Sequence, residues 1–444
     1  MTRAKEATPP TKVPFAATPV GEPPSIRDWA NPSVWTDPML TALEKGVRGG
    51  RWHTLIDKVS AEINLFTSLR KVVGNQGAPG VDHVTVEKFD SHSREELARL
   101  HAELKGDTYR PQAVRRKWID KPGSPDKRPL GIPTVRDRVV QTALRNVIEP
   151  IFDVTFAEQS YGFRPGRGCH HALEHVERLL DGGAVYVVDA DLKSYFDTIN
   201  HQKLLERIRE KVSDSRILKL IEMFLQQGIM DGLESWTPEQ GSPQGAVVSP
   251  LLANIYLNPL DHLLADAGYA MVRYADDFVI LCRTREDAER ALETVRQWVL
   301  ENDLTLHPTK TRIVDARTEP FDFLGYRFRG AVRLPRPKSE DKLKETIRAK
   351  TKRKNGDSLP FIIHQVNQTL KGWFTYFRHC NRAVFQHLDG WIRMRLRSIL
   401  RKRHGRRGRG RGKDNRQWPN RFFEEQRLFS LNAAQISYSQ SCFR

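Results

Sequence analysis

Along this chain, short continuous apolar runs alternate with segments whose apolar residues recur every three or four positions. Helical spacing runs from about 37 to 73 and stops at the glycine-rich "GNQGAPGVD"; a polar helix is predicted near 93–105. "RRKWIDKPGSPDKRPLGIP" predicts two short strands around a Pro/Gly turn, followed by a helix over 136–151. "AVYVVDADL", 184–192, is a β-branched run of buried-strand type, and helices follow near 201–211 and 214–227. "SPLLANIYLNPLDHLLADAG" predicts a helix with Ser249 as N-cap and Pro250 at its first position. "MVRYADDFVILCRT", 271–284, predicts strand, turn, strand, and then a helix over 285–302. From 338 the period becomes purely helical: Leu343 and Ile347, then Ile362, Val366, Leu370, Trp373 and Phe377, then Val384, Leu388, Trp391, Ile392, Leu396 and Ile399. Interleaved strands and helices followed by a small bundle define an α+β body with an all-α C-terminal part. Four segments result: a Pro-rich flexible extension at 1–36, the body at 37–337, the helical domain at 338–400, and a basic segment at 401–444.

Charge sharpens this division. The net charge of +18 resides in residues 338–444, which hold 26 Lys and Arg against 8 Asp and Glu; residues 1–337 balance at 46 of each. A neutral body with a strongly basic last quarter points to a polyanionic partner. Within it, "RKRHGRRGRGRGKDNR", 401–416, is expected to stay disordered until it meets phosphate, with Arg401, Lys402, Arg403, Arg406, Arg407, Arg409 and Arg411 as the contacts. The aromatics of the bundle are expected to form its core, and "WPNRFFEEQRLFSL" to dock or fold. Cys169, Cys282, Cys380 and Cys442 are far apart, which argues against a disulfide framework or zinc ribbon and suits a reducing, cytoplasmic location among nucleic acid. No run of about 18 apolar residues supports a membrane span, and the N-terminus lacks a secretory apolar core.

The chemistry centres on two adjacent carboxylates, Asp276 and Asp277, set between apolar segments. Alone, such a pair also reads as an exposed acidic turn. A second acidic strand end changes that reading, because Asp189 and Asp191 alternate on one face of a strand. Carboxylates at neighbouring strand ends can hold two metals about 4 Å apart, an arrangement suited to in-line phosphoryl displacement. Two Mg²⁺ ions are the hard cations that fit oxygen ligands and phosphate. Three other features suit a nucleotide at such a site: "GSPQG" with Gln244, the hairpin with Lys121, Lys127 and Arg128, and the rings Tyr195 and Phe196. The glycines would allow close backbone approach, the cations could clamp a triphosphate, and a ring could exclude a 2′-OH. Each also reads singly as a turn, a solvated hairpin or core aromatics.

"RYADDFVIL" resembles the catalytic hairpin of reverse transcriptases. "NQGAPGVD", "KRPLGIPTVRDRVVQTAL", "SYGFRPGRGCHHAL", "DADLKSYFDTINH", "GSPQGAVVSPLLANIYLNPLD", "LHPTKT" and "FDFLGYRF" resemble, in order, the blocks of group II intron-encoded reverse transcriptases. "VNQTLKGWFTYFRHCNRAVFQHLDGWIRMRLR" resembles their thumb, or maturase, domain. The resemblance implies a right-hand polymerase of fingers, palm and thumb that copies RNA into DNA and assists intron splicing. It selects Asp191, Asp276 and Asp277 as metal-binding catalytic residues. It also implies deoxynucleotide contacts at Lys121, Arg128, Phe196, Gln244 and Lys310. Its partners would be intron RNA or another RNA template, a DNA primer or target, and deoxynucleoside triphosphates.

The chain departs from the family pattern at His83, Ser242 and Ala246, where glycine, threonine and glycine are usual; Ala246 would add a Cβ beside the nucleotide pocket. After His404 there is no paired Cys/His cluster of the kind found in HNH nuclease domains, so cleavage of DNA by that route is not expected. His170 and His171 read as helix-start residues. Two other functions remain open at this level: a domesticated relative serving host repair or defence, and a splicing factor with a dead polymerase. Intact Asp191, Asp276, Asp277 and Gln244 speak against the latter, and Phe196 speaks against synthesis of RNA.

Overall fold

The computed structural model describes residues 24–442, apart from 48–49, 121–126, 233, 331, 407 and 409–411. Eleven strands are present among the described residues: β1 (Val114–Asp120), β2 (Lys127–Ile132), β3 (Tyr186–Asp191), β4 (Ile229–Asp231), β5 (Glu234–Trp236), β6 (Ala270–Tyr274), β7 (Asp277–Cys282), β8 (Arg312–Asp315), β9 (Phe321–Phe323), β10 (Tyr326–Arg329) and β11 (Val332–Pro335). They form three sheets, ordered β2-β1-β4-β5, β6-β7-β3-β8 and β11-β10-β9.

The central sheet is antiparallel, with β3 between β7 and β8. Val187 and Val188 of β3 and Phe278 to Leu281 of β7 are apolar on successive positions because both faces are covered there. Val188, Ala190, Phe278 and Ile280 join one core with the helices Ser249–Asp266 and Arg285–Glu301. Val187, Val279, Leu281 and Val314 join a second core with Cys169–Asp181 and the C-terminal helices. Asp191 and Asp277 are the terminal residues of β3 and β7, at the end of the sheet beside the β6–β7 turn. Asp189 and Asp191, two residues apart, share the second face, as does Asp277, whose Cα pairs with that of Asp191.

Helix Ser249–Asp266 is buried on nearly all sides, which explains its apolar composition. Ser249 is not its N-cap: Val248 occupies that position, and the Ser249 hydroxyl accepts from Ser242 Oγ at 2.6 Å and donates to the Pro243 carbonyl at 3.0 Å. The local sequence carries the capping pattern, but the adjacent "GSPQG" loop claims the hydroxyl.

Helices Pro337–Lys350, Leu359–Phe377 and Arg382–Arg403 form the C-terminal bundle. Its core is continuous with the underside of the central sheet, so Leu343, Ile347 and Val366 share a cluster with Val187 and Val279. The chain beyond the bundle folds back on it. Trp418, Phe423 and Leu431 are buried, and Asp389 accepts from Ser430 Oγ at 2.6 Å and the Leu431 amide at 3.0 Å. The expected disorder of 401–416 is corrected for its described residues: 401–403 complete a helix, and Gly412–Gln417 form another. Arg401 donates to Asp414 at 2.8 Å, and Asp414 is fully buried, so this arginine is spent on packing. No helix among the described residues is long and apolar enough to cross a membrane.

Candidate active site

The β6–β7 hairpin closes on Ala275 and Asp276, between the paired residues Tyr274 and Asp277. Ala275 has φ +61°, a left-handed conformation that is costly for a residue with a Cβ and so needs outside support. Asp277 pairs with Asp191, with Asp189 one step further down the same face, and Asp276 in the adjoining turn is near enough to feel the charge of Asp191. Burial pushes Asp277 up to about 7, and Asp189, Asp276 and Asp191 add repulsion. Asp276 is raised chiefly by burial and further by Asp191. Asp189 is pushed up to about 6 by burial, against the pull of Arg312 on β8, whose Nε lies 3.6 Å from its carboxylate. With Asp191 beside them, these carboxylates form a site short of positive charge.

Lys310 supplies part of it, with Nζ 2.5 Å from Asp191 Oδ2. Arg128, exposed on β2, also acts on Asp276. The donor set is all carboxylate oxygen, which suits a hard divalent cation such as Mg²⁺. Among the described residues no three acidic, histidine or cysteine side chains converge tightly enough to hold a metal as they stand. Lys310 occupies Asp191 Oδ2, one of the oxygens that a cation held at this cluster would use.

A cavity of 250 Å³ lies against the "GSPQG" loop, lined among others by Arg116, Gly131, Phe196, Trp236, Gly241 and Gln244. Gly241 has φ +91°, and a Cβ there would sit 2.8 Å from the Asp197 carbonyl oxygen; one at Gly245, φ +110°, would sit 2.6 Å from that of Gly131. These glycines allow the loop to approach protein backbone, which binds it through Gly241 N to Ile199 O at 2.8 Å and Ser242 N to Phe196 O at 2.7 Å. Phe196 and Gln244 both line this cavity. Tyr195, by contrast, is buried with its hydroxyl on the Ala253 carbonyl at 2.6 Å, which removes it as a ring facing substrate. Ala246 is 6% exposed and does not line this cavity, so its methyl group lies within the protein interior.

Other candidates are placed less centrally. Lys121, Arg407, Arg409 and Arg411 lie outside the described residues. Arg403 donates to the Asp357 carbonyl, Arg406 lies 3.7 Å from Asp414, and Lys402 is exposed. His171 Nδ1 accepts from the Gly168 amide at 3.2 Å, closing the start of its helix, and His170 Nε2 meets the Tyr376 carbonyl at 2.8 Å. Two features escaped the sequence reading. One is the exposed loop Lys352-Arg353-Lys354, whose ends are held by Arg395 on Thr351 and Arg403 on Asp357. The other is Arg273, an arginine with no exposed surface directly behind the acidic turn.

The family described as reverse transcriptase (RNA-dependent DNA polymerase) matches residues 119–328, and the group II intron maturase-specific domain matches 341–418. The group II intron-encoded protein LtrA of Lactococcus lactis subsp. cremoris is 33% identical over 340 residues, covering 76% of this chain and 49% of its own length. Protein YkfC of Escherichia coli is 35% identical over 304 residues, covering 59% of this chain and 79% of its own length. A 91 kDa protein in the cob intron of Schizosaccharomyces pombe is 29% identical over 296 residues, covering 53% of this chain and 36% of its own. This chain spans about half the length of LtrA. It belongs to the group II intron reverse transcriptase and maturase family, with a reverse transcriptase fold followed by the maturase helices.

Proposed function

We propose that this chain is an RNA-directed DNA polymerase that copies RNA, its own intron RNA in the first instance, and assists splicing through its helical domain. The observation that carries the reading is the register of β3 and β7, which sets Asp191 opposite Asp277 with Asp276 in the adjoining turn. Asp191, Asp276 and Asp277 would hold two Mg²⁺ ions, which supply charge stabilisation for in-line phosphoryl transfer. Raised carboxyl groups in a partly buried cluster fit that role, since a divalent ion offsets the repulsion that burial amplifies.

The remaining residues bind and orient. Phe196 offers a ring beside the cavity that can exclude a 2′-OH, and Gln244 lines the same cavity. Arg128 on β2 would meet the triphosphate, the role that the sequence resemblance also gives to Lys121. Lys310 balances Asp191 in this structure, and with Asp191 on a metal its ammonium would be available to triphosphate oxygens. The exposed Lys352, Arg353, Lys354 and Lys402 supply phosphate contacts for folded RNA, in place of Arg401, which is spent on internal packing. Extension of a DNA primer on an RNA template, with Mg²⁺ and deoxynucleotides, tests this reading. Template-dependent product supports it; product on DNA templates alone, or none, rejects it.

A further inference from the structure

Burying an arginine is costly, and a buried ion pair is seldom more stable than well-packed apolar residues of the same volume. Arg273 is fully buried and pairs with Asp261, which is also fully buried. The fork is used completely. Nε donates to Asp261 Oδ1 at 2.7 Å, and Nη2 donates to Asp261 Oδ2 at 2.5 Å and to Ser160 Oγ at 2.8 Å. Nη1 donates to Asn254 Oδ1 at 2.9 Å and to the Ala275 carbonyl at 2.8 Å. All of the guanidinium's N–H groups therefore have an acceptor.

The bond to Ala275 matters most. That carbonyl belongs to the planar peptide leading into Asp276, so holding its oxygen orients the unit from which the Asp276 side chain departs. It also holds Ala275 in the left-handed conformation, at φ +61°, that the residue would otherwise avoid. The turn is pressed from its other side by Gly162. A Cβ at Gly162 would collide with the Ala275 amide nitrogen and lie 2.8 Å from the Tyr274 carbonyl carbon, so only glycine permits this approach. The two supports are themselves joined, because Asn254 Nδ2 donates to the Gly162 carbonyl at 2.8 Å while its Oδ1 accepts from Arg273. The strand carrying Arg273 is tied to the same segment by Arg273 N to Gln159 O at 3.0 Å and Tyr161 N to Arg273 O at 2.9 Å.

We propose that Arg273 is a positioning residue for the polymerase reaction: with Asp261, Asn254 and Gly162 it clamps the Ala275–Asp276 peptide and so sets where the Asp276 carboxylate presents itself to metal. The inference rests on reading Asp276 as a metal-binding catalytic residue. The clamp touches neither substrate nor metal and acts through the turn. Lysine cannot replace it, because one ammonium cannot span acceptors on both sides of a planar fork.

The test uses the full-length protein carrying Arg273→Met with Asp261→Leu, which removes both buried charges together, and separately Arg273→Lys. Circular dichroism and thermal unfolding establish the fold. Unbound Mn²⁺ is measured by its paramagnetic resonance, and kcat and KM for deoxynucleotide by primer extension. A folded variant should lose about 100-fold in kcat, the loss expected of an ångström-scale misplacement. KM should change less than about threefold, since ground-state nucleotide contacts are untouched. Mn²⁺ should bind more weakly. A folded variant with wild-type kcat and wild-type Mn²⁺ affinity overturns the proposal. If the double variant does not fold, Arg273→Lys decides on the same criteria. If the unsubstituted protein extends no primer, the polymerase reading fails, and the Mn²⁺ comparison still decides whether the clamp positions Asp276.

Discussion

Lys310 Nζ lies 2.5 Å from Asp191 Oδ2, which places a cation from the loop before β8 on a carboxylate assigned to metal. The lysine side chain is 60% exposed and that of Asp191 32%, so the pair is worth about 1 kcal/mol at most. Lys310→Met should therefore lower the half-saturating Mg²⁺ concentration in primer extension, by no more than about fivefold. A raised Mg²⁺ requirement would show instead that the lysine assists metal binding.

Phe196 and Tyr195 are neighbours with opposite surroundings, one on a cavity wall and the other inside the core. Phe196→Ala should admit ribonucleotides, reducing discrimination by about tenfold or more. Tyr195→Phe should leave discrimination unchanged and cost about 1 kcal/mol of stability, through the lost bond to Ala253. Single-turnover incorporation of paired ribo- and deoxynucleotides checks both; unchanged discrimination in Phe196→Ala would move the gate elsewhere.

Basic residues at the C-terminal end divide into those that hold the fold and those that face solvent. Replacing Lys352, Arg353 and Lys354 by alanine should reduce the slope of log affinity for RNA against log salt by about 2–3. The single change Arg401→Ala removes the 2.8 Å ion pair on fully buried Asp414, leaving Arg406 3.7 Å away, and should cost about 2–3 kcal/mol of stability. An unaltered slope in the triple variant would exclude the 352–354 loop as a phosphate contact.

The joint between the central sheet and the helical bundle carries His170 and His379, with ring centroids 4.8 Å apart. Burial pushes His379 down to about 3, and His170 and the nearby Arg333 and Arg378 add repulsion. Below pH 6.5 the unfolded chain takes up a proton that the folded one refuses, so stability falls as pH falls towards 3. The slope approaches about 1.4 kcal/mol per pH unit for this side chain. Urea midpoints at pH 7 and pH 5 should differ, and His379→Gln should shrink the difference; an identical pH dependence in that variant refutes the assignment.

The strands were readable because both faces of the central sheet are buried, so "AVYVVDADL" and "DFVIL" carry unbroken apolar runs ending in acids. Alternation placed Asp189 and Asp191 on one face but could not rank them, since both satisfy it. Ser249 misled because a capping pattern is local while the Ser242 hydroxyl that engages it arrives through the tertiary fold. Arg401 misled in the same way: within a basic run nothing distinguishes an arginine that donates to a buried aspartate 13 residues on. Arg273 was invisible because its partners Ser160, Asn254 and Asp261 come from two other segments.

The most direct measurement is made on Asp276→Ala beside the unsubstituted protein, with primer extension on an RNA template and RNA affinity determined on the same preparations. The account predicts extension by the unsubstituted protein, no detectable extension by Asp276→Ala, and RNA affinity equal within about twofold, because phosphate contacts dominate binding and lie elsewhere. Extension by the variant at an undiminished rate, or a loss of RNA binding in step with activity, would contradict the placement of catalysis at this turn.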